Sequence, residues 1–192
     1  MPRTERLDLD TICGLVPQGA RVLDLGCADG VLLERLVERK QVEARGVELS
    51  EANVRAAIAR GLSVRHGNIE KGLADYRDNA FDYVILSQTL AFLDQPAPVV
   101  REMLRVGKHA VISFDNAGYW RVRLRALSGK CIGATLLSGQ PRERAITLKQ
   151  FRAFAASVEA HIEKIVYVSG RRVVRILHSF RARTAVFVLT RP

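Results

Sequence analysis

The chain has 192 residues, 48% of them hydrophobic, which is enough for one domain with a buried core. No apolar run approaches twenty residues, and the charged start MPRTERLDLD has no signal-peptide core, so we expect a cytoplasmic protein without a membrane span. Three scattered cysteines, Cys13, Cys27 and Cys131, without clustered histidines, predict neither a disulfide framework nor a metal site.

The net charge of +10 is unevenly distributed along the chain. Residues 1–100 hold 12 Lys or Arg and 15 Asp or Glu, a net charge of −3, whereas residues 101–192 hold 18 and 5, a net charge of +13. A half-chain this basic indicates an anionic partner, such as nucleic acid, an acidic protein face or a phosphorylated ligand. A well-solvated, arginine-rich surface is the alternative interpretation.

Short apolar runs alternate with helical patterns along the chain. Ser50 is predicted to cap the second helix, and Thr147 with Gln150 forms a predicted capping box at the fourth. The pattern predicts strands at 21–25, 43–49, 62–67, 81–87, 109–114, 161–169 and 183–190, and helices at 31–40, 51–61, 96–107 and 148–159.

This alternation predicts a parallel sheet with helices on both faces. The last two strands follow each other without a helix, so the last one is expected to be antiparallel. We therefore predict a single α/β domain over 1–192, a doubly wound, mostly parallel, seven-stranded sheet that binds its ligand at the carboxyl ends of the strands. Residues 115–146 are predicted to form a linker that serves as a lid or a partner surface.

The stretch DLGCADG, residues 24–30, joins the first strand to the first predicted helix. Gly26 allows a tight turn and a close approach of the backbone to a ligand, and Gly30 precedes a helix N-terminus that favours a carboxylate. Asp24 is placed to receive an ammonium group. The loop therefore predicts a site for an amino acid moiety, with Cys27 and Ala28 as further cofactor-binding candidates.

Glu48 ends the second strand, 22 residues after the first glycine of the loop, where an acid accepts hydrogen bonds from a ribose diol. Leu49 beside it is a further candidate. Ribose together with an amino acid indicates S-adenosylmethionine or S-adenosylhomocysteine. NAD ranks lower because Ala28 breaks the dinucleotide fingerprint and the acids of the loop would repel a pyrophosphate.

The ends of the next two strands complete the predicted cofactor site. Asn68 follows the third strand and is a candidate for the adenine edge, with Ile69 against the ring. Ser87 and Gln88 leave the fourth strand, where the sulfonium and a methyl acceptor would lie. No catalytic residue is identified.

Together these features resemble the class I S-adenosylmethionine-dependent methyltransferase superfamily, whose fold is Rossmann-like. Asp24, Gly26 and Gly30 match its first motif, with Ala28 in place of the middle glycine. More narrowly, the chain resembles the MetW family of methionine biosynthesis proteins over roughly residues 8–127. The matching stretches are RVLDLGCADGVLL, FDYVILSQTL, VVREMLRVGKHAVISF and NAGYWRVRL.

The chain departs from the family pattern in two places. Residues 115–117, Asp-Asn-Ala, replace a Pro-Asn-Phe, and SGQPRERAIT at 138–147 replaces a segment similar to Tyr-Asp-Thr-Pro-Asn-Ile-His. We therefore expect divergence from the family after about residue 127, with a different substrate or partner.

The resemblance implies a partner subunit of homoserine O-acyltransferase, and it leaves open whether the chain itself transfers a methyl group. The alternative is a methyltransferase that acts on a small-molecule acceptor. An RNA methyltransferase using the basic half ranks last, because no RNA-binding module and few aromatic residues for base stacking are found. No membrane partner is expected.

Overall fold

A computed structural model describes residues 7–128, 144–170 and 172–192. Over these residues the chain forms seven α-helices and eight strands. In chain order they are α1 Leu7–Leu15, β1 Arg21–Leu25, α2 Val31–Lys40, β2 Glu43–Glu48, α3 Glu51–Ala59, β3 Val64–His66, β4 Phe81–Ser87, α4 Pro96–Val106, β5 Gly107–Asp115, α5 Trp120–Leu127, α6 Leu148–Ser157, β6 His161–Ser169, β7 Arg172–Val173, α7 His178–Arg181 and β8 Thr184–Thr190.

All eight strands belong to one sheet in the order β3-β2-β1-β4-β5-β8-β6-β7. Strands β1 to β5 pair in parallel, and β8 lies antiparallel between β5 and β6. The predicted doubly wound, mostly parallel sheet is confirmed. The predicted count of seven strands is wrong, because the two-residue β7 adds an antiparallel edge strand beside β6.

Alternate residues of the central strands point into two hydrophobic clusters, one on each face of the sheet. One cluster joins α1 and α2 to the sheet through residues such as Val22, Ile85 and Val111. The other cluster joins α4 and α6 to the opposite face of the sheet. It contains the residues that directly follow those three in the strands, Leu23, Leu86 and Ile112. Because successive side chains of a strand point to opposite faces and both faces are covered, these strands are apolar at nearly every position.

Several predicted boundaries are confirmed, including those of β1, α2, β4 and β6. The Ser50 Oγ accepts a hydrogen bond from the Asn53 N–H at the start of α3. The capping box of Thr147 and Gln150 opens α6. Helix α3 ends at Ala59, two residues earlier than predicted, and β3 covers only three residues.

Three α-helices of the described residues were missed by the sequence analysis: α1, α5 and the four-residue α7. Helix α1 buries Leu9, Ile12 and Cys13 against the sheet. Helix α5 lies within the predicted linker at 115–146 and buries none of its side chains. Residues 129–143, which hold Cys131 and most of the predicted lid, lie outside the described part of the chain. No helix within the described ranges is long and apolar enough to cross a lipid bilayer.

Candidate functional site

The loops that follow β1, β2 and β4 meet at the carboxyl edge of the sheet, at the point where the strand order reverses between β1 and β4. This is the edge at which open α/β sheets bind ligands. Asp24 lies there, one residue before the end of β1, opposite Gly46 of β2 and Ile85 of β4. The site is thus positioned by the three most interior parallel strands of this half of the sheet.

The Asp24 carboxyl group is the most unusual polar group of this edge. It is only 2% exposed, and its Oδ1 has no hydrogen-bond partner among the described residues. Burial, and secondarily the charge of Glu48, raises the pKa of Asp24 to about 8. Burial therefore disfavours the ionised carboxylate, and a bound cation would stabilise it.

Both glycines of the loop adopt left-handed backbone conformations, with φ of +70° at Gly26 and +82° at Gly30. A Cβ at Gly26 would lie 2.7 Å from the Thr89 Oγ1, and one at Gly30 would overlap the Leu62 side chain. Packing within the chain thus requires both glycines, independently of the ligand contacts that the sequence predicted for them.

The middle of the loop is held by Glu48. The Ala28 N–H donates to Glu48 Oε2 at 2.9 Å, and the Ser50 N–H donates to Oε1 at 2.8 Å. Ala28 has a φ of +49°, a conformation that favours glycine, so this hydrogen bond offsets part of its backbone strain. Oε1 also accepts a longer hydrogen bond from Asn53 Nδ2 at 3.5 Å. Oε2 can accept a second hydrogen bond, so Glu48 retains capacity for a hydroxyl group of a ligand.

The Cys27 thiol belongs to the packing of the loop. Its Sγ lies over Gly46, where a Cβ would come within 2.6 Å of the sulfur. Burial, and then the charges of Asp24 and Glu48, raises the pKa of Cys27 to about 12, so the thiol stays protonated and is a poor nucleophile. No group of three potential metal ligands occurs among the described residues.

Leu49 presents an apolar surface next to Glu48, with 63% of the residue exposed. Its carbonyl oxygen accepts a hydrogen bond from His66 Nε2 at 2.8 Å. Asn68 caps the short 3-10 turn at Ile69–Lys71, accepting a hydrogen bond from the Glu70 N–H. Ile69 is buried in the core, so little of its side chain is accessible to a ligand.

The end of β4 is fixed by a residue that the sequence analysis missed. Ser113 of β5 is fully buried, and its Oγ lies 3.2 Å from Ser87 Oγ. The Gln88 N–H donates to both the carbonyl oxygen and the hydroxyl of Ser113, which holds Gln88 at a φ of +56°. The sequence feature that could have identified this residue is a serine within the otherwise apolar run HAVISF, residues 109–114.

The structure therefore connects most of the predicted residues. Glu48 links the β1 loop to the end of β2, and the contact of Gly26 with Thr89 links the same loop to the turn after Ser87. Asn68 and Ile69 lie beyond β3, at the far side of the same edge. Their contacts with a ligand stay predictions.

The family model described as "Methionine biosynthesis protein MetW" matches residues 6–189. This match extends well past residue 127, where the sequence analysis expected the family resemblance to end. The departures at 115–117 and 138–147 thus lie inside the region that the family covers.

Curated relatives include two kinds of protein. The "Bifunctional methionine biosynthesis protein MetXA/MetW" of Rhodopirellula baltica is 38% identical over 128 residues, which are 62% of this chain and 20% of that protein. The "Ubiquinone biosynthesis O-methyltransferase" of Paracidovorax citrulli is 32% identical over 109 residues, 53% of this chain and 45% of that protein. The chain thus matches a fifth of the first relative and less than half of the second.

Solved structures with the same architecture include S-adenosylmethionine-dependent methyltransferases. One from Thermotoga maritima, described as a possible histamine N-methyltransferase, has a TM-score of 0.73 at 18% identity and covers 96% of this chain and 88% of that one. One from Mesorhizobium loti has a TM-score of 0.71 at 15% identity and covers 99% of both chains. At these identities the likeness establishes the class I methyltransferase fold.

Proposed function

The chain belongs to the MetW family of methionine biosynthesis proteins, and from this premise we propose that it binds S-adenosylmethionine over β1, β2 and β4 and acts with a homoserine O-acyltransferase. The proposal depends most on one observation, the buried Asp24 carboxyl whose Oδ1 has no partner among the described residues. When bound, S-adenosylmethionine supplies an electrophilic methyl group on a sulfonium.

Asp24 would hold the ammonium group of the methionine moiety. A buried charge is tolerated when it is paired, so the ammonium favours the ionised carboxylate that burial disfavours in the free protein. The neighbouring loop at 26–30 leads into the N-terminus of α2, whose free N–H groups suit the carboxylate of the same moiety.

The nucleoside would lie across the end of β2. Glu48 retains acceptor capacity for a ribose hydroxyl, and its side chain is already oriented by two backbone N–H groups. Leu49 offers an exposed apolar surface for the adenine ring. The Asn68 side chain accepts from the Glu70 N–H through Oδ1, and its amide NH2 group, which has no partner among the described residues, can donate to the adenine edge.

The proposed partnership is supported by the relative named a bifunctional MetXA/MetW protein, in which a segment similar to this chain is part of a longer polypeptide. The family resemblance implies homoserine O-acyltransferase as that partner.

A second candidate function is methyl transfer to a small-molecule acceptor. It is favoured by the ubiquinone biosynthesis O-methyltransferases, which are 28% to 33% identical to this chain over 96 to 161 residues. The two functions differ in whether a labelled methyl group leaves the bound cofactor. Incubation with methyl-labelled S-adenosylmethionine and candidate phenolic acceptors distinguishes them.

Calorimetric titration with S-adenosylmethionine and S-adenosylhomocysteine tests the cofactor site. Asp24→Asn keeps the shape of the side chain but removes its charge, and we expect a roughly 10- to 150-fold loss of affinity, the usual range for a hydrogen bond to a charged group. Asp29→Asn is the matched control, since Asp29 lies in the same loop but pairs with Arg60. Equal binding by Asp24→Asn and the wild type would contradict the proposed site.

Mixing the protein with the homoserine O-acyltransferase of the same organism tests the partnership. We expect co-elution on gel filtration and a change in acyltransferase activity. Separate elution with unchanged activity would contradict the partnership and leave the cofactor site to the titration.

A further inference from the structure

A cleft lies between α5 and the ends of β6 and β8, and it encloses about 460 Å³. Arg121 and Arg125 of α5 and Arg183 before β8 line it, together with Tyr119 and Ser169. Small-molecule sites in proteins typically enclose roughly 300–1,000 Å³, so the cleft is large enough for a ligand.

The guanidinium groups of these three arginines form no ion pair with a carboxylate of the described residues. Asp115 also lines the cleft, but its Oδ1 accepts a hydrogen bond from Thr184 Oγ1 at 2.6 Å. Arg121 and Arg125 are one helical turn apart and therefore lie on the same face of α5. The Arg121 guanidinium also lies over the Trp120 ring, 5.2 Å from its centroid. Three arginines thus line the cleft, and Asp115 is the one acid among the described residues that line it.

The walls of the cleft are fixed by Asn116, which is only 2% exposed. Its Nδ2 donates to the carbonyl oxygens of Ala182 and Ser179, at 2.9 and 3.2 Å. Its backbone N–H donates to the Arg183 carbonyl oxygen at 2.7 Å. The loop before α5 is therefore tied to the segment before β8, and the arginine backbones need no rearrangement to bind a ligand.

We propose that this cleft binds a small molecule that carries a phosphate or a pair of carboxylates. Guanidinium groups bind both anions through two parallel hydrogen bonds, and an anion would relieve the mutual repulsion of Arg121, Arg125 and Arg183. The cleft shares the carboxyl edge of the sheet with Asp24 but is built from different strands. The proposal goes beyond the proposed function and holds whether or not the chain binds an adenosyl cofactor.

Thermal unfolding and calorimetry of the full chain test the proposal, with inorganic phosphate and citrate as probes and sodium chloride at equal ionic strength as the reference. At ten times its dissociation constant an anion should raise the Tm by about 3–5 °C. Stronger binding of phosphate assigns a phosphate ester as the ligand, and stronger binding of citrate assigns a polycarboxylate.

The double variant Arg121→Gln with Arg125→Gln should bind the preferred anion at least about tenfold more weakly, the loss expected for a charge-assisted hydrogen bond. The double variant Arg77→Gln with Arg101→Gln removes the same charge from exposed positions outside the cleft and should bind it like the wild type. Three results would overturn the proposal: no Tm shift beyond that of sodium chloride, equal losses in both double variants, or tRNA binding that both double variants weaken equally while neither small anion binds. Failure of S-adenosylmethionine to bind would leave these results unaffected.

Discussion

The two halves of the sheet differ in how their charges are compensated. Around β1 to β4, arginines pair with acids, as Arg60 does with Asp29 and Glu34, and Arg21 with Asp82. Beyond His109, no Arg or Lys of the described residues forms an ion pair with a carboxylate. At the carboxyl edge of the sheet, the end of β1 thus presents the buried Asp24 to a cation. Near β6 and β8, the same edge presents arginines without a carboxylate partner among the described residues to an anion.

The difference is confined to the surface and the strand ends, because the two halves share one core. Phe187 of the antiparallel β8 is fully buried and contacts the rings of Phe114 and Phe151, with ring centroids 5.7 and 4.4 Å away. The basic half is therefore an integral part of the fold, and its charge is compatible with tight packing beneath it.

The largest expected effect tests this shared core. Phe187→Ala should lower the free energy of unfolding by about 3–5 kcal/mol, because it leaves a cavity among aromatic side chains. Phe180→Ala, at a position that is 47% exposed, should cost less than about 1 kcal/mol. Urea denaturation measures both. Similar losses in the two variants would show that β8 is not part of the cooperative core.

The buried Asp24 carboxyl should make the stability of the protein depend on pH. The folded pKa of Asp24 lies above its unfolded value of about 3.9, so the folded protein holds a proton that the unfolded chain has lost between about pH 4 and 8. The stability from this proton is complete below pH 4 and lost as the pH rises through about 8.

Asp24→Asn should therefore be more stable than the wild type at pH 8.5, with a smaller difference at pH 5.5. The difference should change by at most about 1.4 kcal/mol per pH unit. Denaturation curves of both proteins across this range provide the measurement. Parallel stability profiles would show that Asp24 is ionised throughout.

The smallest expected effect compares paired and unpaired arginines directly. Arg60→Gln breaks contacts of 2.9 Å with both Asp29 and Glu34 and should cost about 0.2–1 kcal/mol at low salt. Arg125→Gln removes a cation without a carboxylate partner among the described residues, so it should leave the stability unchanged or slightly raised. Thermal unfolding at low and high salt distinguishes them, and a larger loss in Arg125→Gln would contradict the comparison.

The parts of the fold that the sequence predicted are those in which local pattern and burial agree. Strands β1 and β4 are apolar runs with clear ends, and α2 begins after a glycine and carries a wide apolar stripe. Helix α5 buries no side chain, so it has no apolar stripe directed at the core from which periodicity could reveal it. Helix α1 was missed because the charged start of the chain was considered only as a possible signal peptide, and no element was predicted before β1.

The candidate site was predictable to a similar degree. Asp24 and Glu48 were identified because an acid at the end of an apolar strand is unfavourable to bury unless a partner or a ligand compensates its charge. Ser113 and Asn116 were missed as positioning residues because their contacts join segments 25 to 66 residues apart. Contacts between such distant segments depend on the order and register of the strands. Neither can be deduced from the spacing of residues in a single sequence.

The protons released on ligand binding test the central claim most directly. The claim is that Asp24 is neutral in the free protein and ionised against the ligand ammonium. Titration with S-adenosylhomocysteine at pH 7, in two buffers of different ionisation enthalpy, should show a net release of roughly half a proton to one proton per bound ligand, because burial raises the pKa of Asp24 to about 8. Binding without proton release, or binding that Asp24→Asn leaves unchanged, would contradict it.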